Sequence, residues 1–207
     1  MQVSTCIQQE DMETMDTLNN KDKILLAAIE LMSEKGYKGV TTKEIAAAAG
    51  VNEVTLFRNF GSKMNLLGAA VDRFYYTGTM ESIFREQLVW DLRTDLRLIS
   101  RSYHEIMNRN RRMFMIVLKD DELIDLREKA QRHPQLLKEM LKNYFAAMQE
   151  RGKLIETSTE AQAMTFLWMN YGAFMTSLHG NASLITSLTM LEFMESSIEL
   201  FVRALTP

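Results

Sequence analysis

The sequence predicts an all-α protein, and three observations lead there. Apolar residues recur at three- and four-residue spacing along nearly the whole chain, and no stretch shows the alternation of a half-buried strand. The 207 residues hold only two prolines, Pro134 and Pro207, so long helical runs go uninterrupted. The punctuation that does exist, at Gly50, at His133-Pro134, at Gly152 and around Gly180-Asn181, separates segments of helical rather than strand length.

Residues 1–20 carry Glu10, Asp11, Glu13 and Asp16 with no basic side chain, and read as an acidic extension. Its sign argues against an arm that touches nucleic acid. A first helix is predicted from about Lys21 to Lys35, with Ile24, Ala27, Ala28, Leu31 and Met32 on its inner face.

The next stretch, residues 41 to 63, is the most informative of the chain. Thr41 and Glu44 stand in the Thr-x-x-Glu spacing of a capping box, in which each side chain accepts from the other residue's amide. Ile45, Ala46 and Ala49 share one face, and the alanines are small enough for a second helix to cross closely. Gly50 stops the helix, Val51 plugs the angle, and Asn52 is a good N-cap for another short helix whose buried stripe is Leu56 and Phe60. Glu53, Val54, Thr55, Phe57, Arg58 and Asn59 are left facing outward. Two short helices locked around a tight turn, the second with apolar and polar groups on its outer face, have the outline of a helix-turn-helix DNA reader. In such a reader apolar groups meet thymine methyls, while Thr, Asn and Arg reach base edges or phosphates. Taken singly, Gly50 reads as a C-cap, Arg58 as a solvated charge and Lys63 as an exposed lysine near a helix start. Their joint spacing favours DNA binding.

Lys23 to about Leu67 resembles the N-terminal domain of the tetracycline-repressor (TetR) family of bacterial regulators. The resemblance rests on Ala27-Ala28 through Gly36-Tyr37, Thr41-Thr42-Lys43-Glu44-Ile45-Ala46, Ala49-Gly50-Val51, Thr55-Leu56-Phe57-x-x-Phe60 and Ser62-Lys63. It covers roughly a quarter of the chain. The chain departs from the family at Val54, where Gly or Ala is frequent, and at Phe57, where Tyr is usual. Phe57 keeps the ring and lacks the phenol hydroxyl. The resemblance implies that Thr42 and Lys63 clamp backbone phosphates, and that Lys43, Thr55, Phe57 and Asn59 touch phosphates or base edges. Glu53 could accept from a cytosine amine, but an acid at a helix N-terminus is equally explained by the helix dipole, and we favour the dipole. The DNA-binding set is therefore Thr41, Thr42, Lys43, Glu53, Val54, Thr55, Phe57, Arg58, Asn59 and Lys63, within a domain spanning 21–66.

A formal net charge of −3 does not suggest nucleic acid by itself, so any positive surface is local, and Lys35, Lys38, Lys43, Arg58 and Lys63 cluster in the reader. A single cysteine, Cys6, excludes an intrachain disulfide, and no basic flank precedes an apolar core near the N-terminus. The chain is expected in the cytoplasm, without membrane contact.

Residues 67–207 are predicted to form a larger helical domain for effector binding and dimerisation. A helix opening at Ser62 should continue past Phe74 and Tyr75, with further helices at about 83–108, 110–130, 134–151, 158–179 and 186–205. Many of the 16 methionines fall here, between Met80 and Met194, and polarisable side chains of this kind suit a pocket that repacks around apolar ligands as well as a plain core. By analogy with the family, Phe74, Tyr103, Met107, Phe114, Leu118, Tyr144 and Met148 are the candidates for an apolar or amphipathic effector.

The last two predicted helices are apolar on more than one face and need burial on both sides. Intrachain burial alone would be one way to satisfy this. A two-fold four-helix interface, which the resemblance implies, would bury the surplus through Phe166, Trp168, Phe174, Leu191, Met194, Ile198 and Phe201.

Catalysis finds little support. His104, His133 and His179 are scattered, no pair has metal-ligand spacing, and neither a phosphate-binding glycine loop nor a Gly-x-Ser-x-Gly elbow is present. No enzyme activity, cofactor or metal is expected. The sequence thus points to a ligand-responsive, homodimeric DNA-binding regulator, a repressor on a pseudo-palindromic operator. An effector-independent DNA-binding protein and a helical protein-interaction module are the alternatives.

Overall fold

The computed structural model describes residues 19–74, 77–130, 132–178 and 186–207. The acidic segment 1–18 and His179 lie outside them. The described chain is helical throughout: α1 Asn20–Lys35, α2 Thr42–Ala48, α3 Glu53–Phe60, α4 Lys63–Phe74, α5 Thr77–Ser82, a π-helical turn Ile83–Gln87, α6 Leu92–Arg109, α7 Arg111–Lys119, a 3₁₀ turn Asp121–Leu123, α8 Ile124–Ala130, α9 Arg132–Glu150, α10 Thr159–Leu178 and α11 Met190–Leu205.

Two compact units result. The first holds the described residues up to Phe74 together with Arg112–Leu126, and the second holds Tyr75–Arg111 with Arg127–Pro207. The first unit is built as its sequence dictates. Asn19 caps α1 by accepting from the Asp22 amide at 3.0 Å, and Ile24, Ala28 and Met32 project from that helix into a core shared with Ile45, Leu56, Leu66 and Leu67. Asp22 is held in turn by Arg73 of α4 at 3.1 Å, which ties the far ends of α1 and α4. The expected boundary at residue 66 falls inside α4, all of which belongs to this unit.

In the second unit α9 packs on α10, α11 on α6, α10 on α6, and α5 on both α9 and α6. Its core centres on Leu96, Ile99, Phe145, Phe166 and Phe174. The start of α11 is fixed locally by the reciprocal capping box of Thr189 and Glu192, and its end by a distant residue, the Ile155 amide donating to the Leu205 carbonyl at 2.9 Å.

Two boundaries differ from the sequence pattern. The span expected as one helix from 83 to 108 is broken at Leu88–Asp91, because Asp91 caps a new helix by accepting from the Thr94 amide at 2.9 Å. The span from 110 to 130 is broken at Asp120, whose carboxylate accepts from the Glu122 amide and turns the chain into the 3₁₀ segment. The expected separation near His133-Pro134 is kept, with α8 ending at Ala130 and α9 opening at Arg132, just ahead of Pro134. Pro134 sits in the first turn of α9, where its missing N–H would have had no helical acceptor.

Candidate nucleic-acid interface

The capping box at Thr41 is formed in full. The Thr41 hydroxyl accepts from the Glu44 amide at 3.2 Å, and Glu44 Oε2 accepts from the Thr41 amide at 2.8 Å and its hydroxyl at 2.9 Å. Glu44 Oε1 also takes a bond from Lys35 at 3.0 Å. These donors, the Thr41 amide first, hold the Glu44 carboxyl down to about 2. At the turn Gly50 adopts a φ of 67°, and the Val51 amide reaches back to the Ala46 carbonyl at 3.0 Å. Asn52 then caps α3 by accepting from the Val54 amide at 2.9 Å. At the end of α3, Gly61 is at φ 72°, and the Ser62 hydroxyl accepts from the Asn65 amide at 3.0 Å to start α4.

Fixed in this way, α3 turns Leu56 fully inward and presents Val54 at 72% and Phe57 at 46% exposure, with Arg58 and Lys43 also exposed. These side chains form the open face of the reader. Large apolar groups exposed on a short, doubly capped helix leave apolar surface for a partner's groups, thymine methyls among them.

The remaining expected DNA-binding residues have partners within the unit. Thr42 donates to Glu53 Oε1 at 2.7 Å, which gives Glu53 an internal role at the start of α3 beside any effect on the helix dipole. Asn59 Nδ2 donates to the Thr55 carbonyl at 2.7 Å, one turn back along its own helix. Thr41 is occupied by its cap. The Lys63 ammonium is directed inward, donating to the carbonyls of Tyr37 at 2.7 Å and Val40 at 2.8 Å and standing 4.3 Å from the centre of the Tyr37 ring.

The basic cluster read from the sequence is thinned by acids that are distant in the chain and near in space. Lys35 pairs with Glu44, and Lys38 pairs with Glu122 at 2.8 Å. The second pair belongs to a feature the sequence did not disclose. Residues 112–126 pack on the reader, with Ile116, Leu123 and Leu126 buried in its core and Arg112 paired with Glu30. The apolar spacing of that segment was visible, but nothing local marks which helices receive it.

Of the effector candidates, Tyr103, Met107, Tyr144 and Met148 are buried in the second unit. Phe114 and Leu118 belong to the first, Leu118 being exposed, and the Phe74 side chain lies outside what is described. The second unit has a cleft of about 440 Å³, and Tyr144 is the one sequence candidate among its lining residues, which otherwise come from 81–90, Met140 and Asn143. The unit also buries a polar group. Asn170 Oδ1 accepts from the Ser100 hydroxyl and from His104 Nε2 at 3.1 Å, and the Asn170 amide donates to the Phe166 carbonyl at 2.8 Å. This leaves His104 Nδ1 buried without a hydrogen-bond partner, and burial pushes the imidazole below its ordinary pKa.

Most of the expected dimer residues are spent on the chain's own core. Phe166 and Phe201 meet edge to face at 5.6 Å, and Phe174, Ile198 and Met194 are also buried. Such residues satisfy one face of the wide apolar stripe. Outside that core Trp168, Leu191 and Leu200 stay 64%, 63% and 68% exposed, Leu191 and Leu200 on different sides of α11.

Residues 24–70 match the family model described as bacterial regulatory proteins, tetR family. Over 186 residues the chain is 33% identical to YvkB of Bacillus subtilis, a helix-turn-helix-type transcriptional regulator, covering 89% of this chain and 96% of that one. Over 51 residues it is 41% identical to IcaR of Staphylococcus aureus, the negative transcriptional regulator of the biofilm operon icaADBC, covering 25% of this chain and 27% of IcaR. Among solved structures, NalD of Pseudomonas aeruginosa, the secondary repressor of the MexAB-OprM multidrug efflux pump, superposes with a TM-score of 0.71 over 92% of this chain and 97% of that one, at 22% identity.

Proposed function

The chain belongs to the TetR family of bacterial regulatory proteins, and we propose that it is a homodimeric repressor that reads a pseudo-palindromic operator and releases it on binding a small effector. The observation that carries this reading is the face of α3: Val54, Phe57 and Arg58 project from a helix whose start, end and inner side are all fixed by the chain itself. A rigid helix of two turns with that face is suited to the major groove, where Val54 and Phe57 meet thymine methyls and Arg58 and Lys43 meet phosphates or base edges. Thr55 and Asn59 add polar groups at the groove once Asn59 leaves the Thr55 carbonyl. Residues 21–66, extended by α4 and by 112–126, act as the reader, and the remainder of 67–207 acts as effector and dimer domain.

Dimerisation is supported by the exposed Trp168, Leu191 and Leu200 on α10 and α11. A single reader helix contacts few base pairs, and two related by a two-fold axis double the site and demand the right spacing. Effector control is supported by connectivity. The segment 112–126 belongs to the reader's core, whereas the chain before and after it belongs to the second unit. A ligand that favours one arrangement of the second unit therefore acts on the reader through three covalent links, at 74/75, 111/112 and 126/127, and a coupling of about 1–3 kcal/mol would lower operator affinity roughly 5- to 150-fold. The known activities of the relatives, repression by IcaR and by NalD, fit the same direction.

The test is the salt dependence of binding to duplex DNA. A reader that neutralises several phosphates loses affinity linearly in log salt, with a slope of about −0.9 for each phosphate. A flat response would instead assign the α3 face to a protein partner.

A further inference from the structure

We propose that the cleft of the second unit between the Glu81–Trp90 segment and α9 is a ligand site, and that it takes an uncharged, planar aromatic molecule. This rests on the effector-controlled reading above and gives that control a place and a chemistry.

Two departures from ordinary backbone meet on one wall of the cleft. Ile83–Gln87 is wound as a π-helix, a rare form that recurs where a helix is bent to serve a site. Three residues on, Trp90 adopts a φ of 63°, alone among the described residues other than glycine. A bulky residue is seldom held there unless its surroundings over-determine it.

The surroundings do so. The Lys153 ammonium takes the Trp90 carbonyl at 2.6 Å, and the Arg151 guanidinium lies 3.7 Å from the centre of the indole. Asp95, with no exposed surface, accepts from the Val89 amide at 2.8 Å through one oxygen and from the Tyr144 hydroxyl at 2.9 Å through the other. A single buried carboxylate thus fixes both the loop that carries Trp90 and the tyrosine opposite. Burial and the neighbouring Asp95 push the Tyr144 phenol far above its ordinary range, so it stays protonated and neutral.

The lining selects the ligand. Trp90 lies close to parallel with Tyr144, at 5.9 Å and 24°, and Phe84 stands edge-on to Tyr144 at 6.4 Å and 79°. Rings so arranged favour a flat aromatic guest, which can make offset and edge contacts at once. Leu88 and Met140 complete the apolar surface, and Asn143 offers one donor and one acceptor at the mouth. Glu81 and Arg85 bring opposite charges to the same rim, and Arg85 is already paired with Glu86 at 2.9 Å. Arg151 and Lys153 add cations behind Trp90, held to its ring and its carbonyl, so the preference for an uncharged guest comes from the apolar walls and not from a charge balance at the rim. The volume of about 440 Å³ falls within the usual range for small-molecule sites.

The test uses the full chain and N-phenyl-1-naphthylamine, a neutral aromatic amine whose emission rises in apolar surroundings. Saturable emission is expected, displaced by 2-naphthol and at least tenfold less well by 1-decanol. Asn143→Phe, which fills the mouth from an exposed position, and Phe84→Ala, which removes a wall, should each weaken the probe at least tenfold, while melting midpoints show both variants folded. Absence of saturable binding, equal displacement by decanol, or unchanged binding in both folded variants would overturn the proposal. DNA affinity measured in the same samples separates the two readings. Probe bound in the cleft with unchanged DNA affinity supports the site and rejects effector control through it. DNA release by the probe that persists in Asn143→Phe rejects the site and leaves effector control standing.

Discussion

The hydroxyl of Thr42 donates to the carboxylate of Glu53 at 2.7 Å, so the first residue of α2 is bonded to the first residue of α3 across the turn. That bond adds a side-chain tie to the turn already fixed by Gly50, the Val51–Ala46 bond and the Asn52 cap. Thr42→Val keeps the shape of the side chain and removes the donor, and is expected to cost about 1 kcal/mol in the stability of the first unit, read as faster exchange of α2 and α3 amides. Glu53→Gln retains an acceptor and should leave the selected DNA sequence unchanged. A changed preference at one base pair in Glu53→Gln would instead make Glu53 a base reader.

Lys63 holds the end of the α1–α2 connection to the start of α4 through two carbonyls and the Tyr37 ring. Lys63→Met removes the charge and keeps much of the stem, leaving both carbonyls without that donor. We expect a loss of about 1.5–3 kcal/mol in the stability of the first unit, in the range of hydrogen bonds from charged groups. DNA affinity should fall alike for all sequences. A variant of unchanged stability whose salt slope drops by about one would show a phosphate clamp and no tether.

Leu191 and Trp168 are the two expected dimer residues that remain open on their helices. Leu191→Asp places a charge on that face without touching the intrachain core, so sedimentation should shift from dimer to monomer while helical content is kept. Phe174→Asp, at a fully buried position, should unfold the second unit. Dimer retention in Leu191→Asp would exclude this face as the interface.

The buried His104 imidazole is held below its ordinary pKa chiefly by desolvation, with the Asn170 oxygen opposing. The unfolded chain takes up this proton near pH 6.5, and the folded chain resists it until lower pH. Its contribution to stability is therefore complete above about pH 6.5 and is lost as pH falls toward the depressed folded value. The urea midpoint should drop between pH 7.5 and pH 5.5, and drop less in His104→Met. Equal drops in the two proteins would place the sensitivity elsewhere.

The local punctuation of the reader was legible in the sequence because each signal acts over three or four residues. The Thr41–Glu44 box, the Gly50 turn and the Asn52 cap are all formed as their spacing dictates. The partners of exposed polar side chains were not legible. The inward turn of Lys63 has no local signal, because its two acceptors lie 23 and 26 residues away and backbone carbonyls leave no mark in a sequence. The same holds for Lys38 and Glu122, and for the placement of Ile116, Leu123 and Leu126 in the reader core. In the second unit, wide apolar stripes on α10 and α11 were visible, but periodicity does not say which apolar residues face the chain's own core. Phe166 and Phe174 share the apolar pattern of Trp168, yet only Trp168 is exposed. The cleft was missed because it depends on the π-helical turn and on Trp90, whose backbone no local pattern announces.

In the proposed dimer, α3 of two copies reads an inverted repeat. Selection of bound sequences from a random duplex library with the purified protein tests it most directly, run beside Thr55→Ala and Asn59→Ala. Enrichment of an inverted repeat whose half-sites lie about one helical turn apart is expected, with altered bases in the half-site for the two variants. A folded protein that enriches no repeat at low salt, or variants that enrich the same bases as the parent, would contradict it.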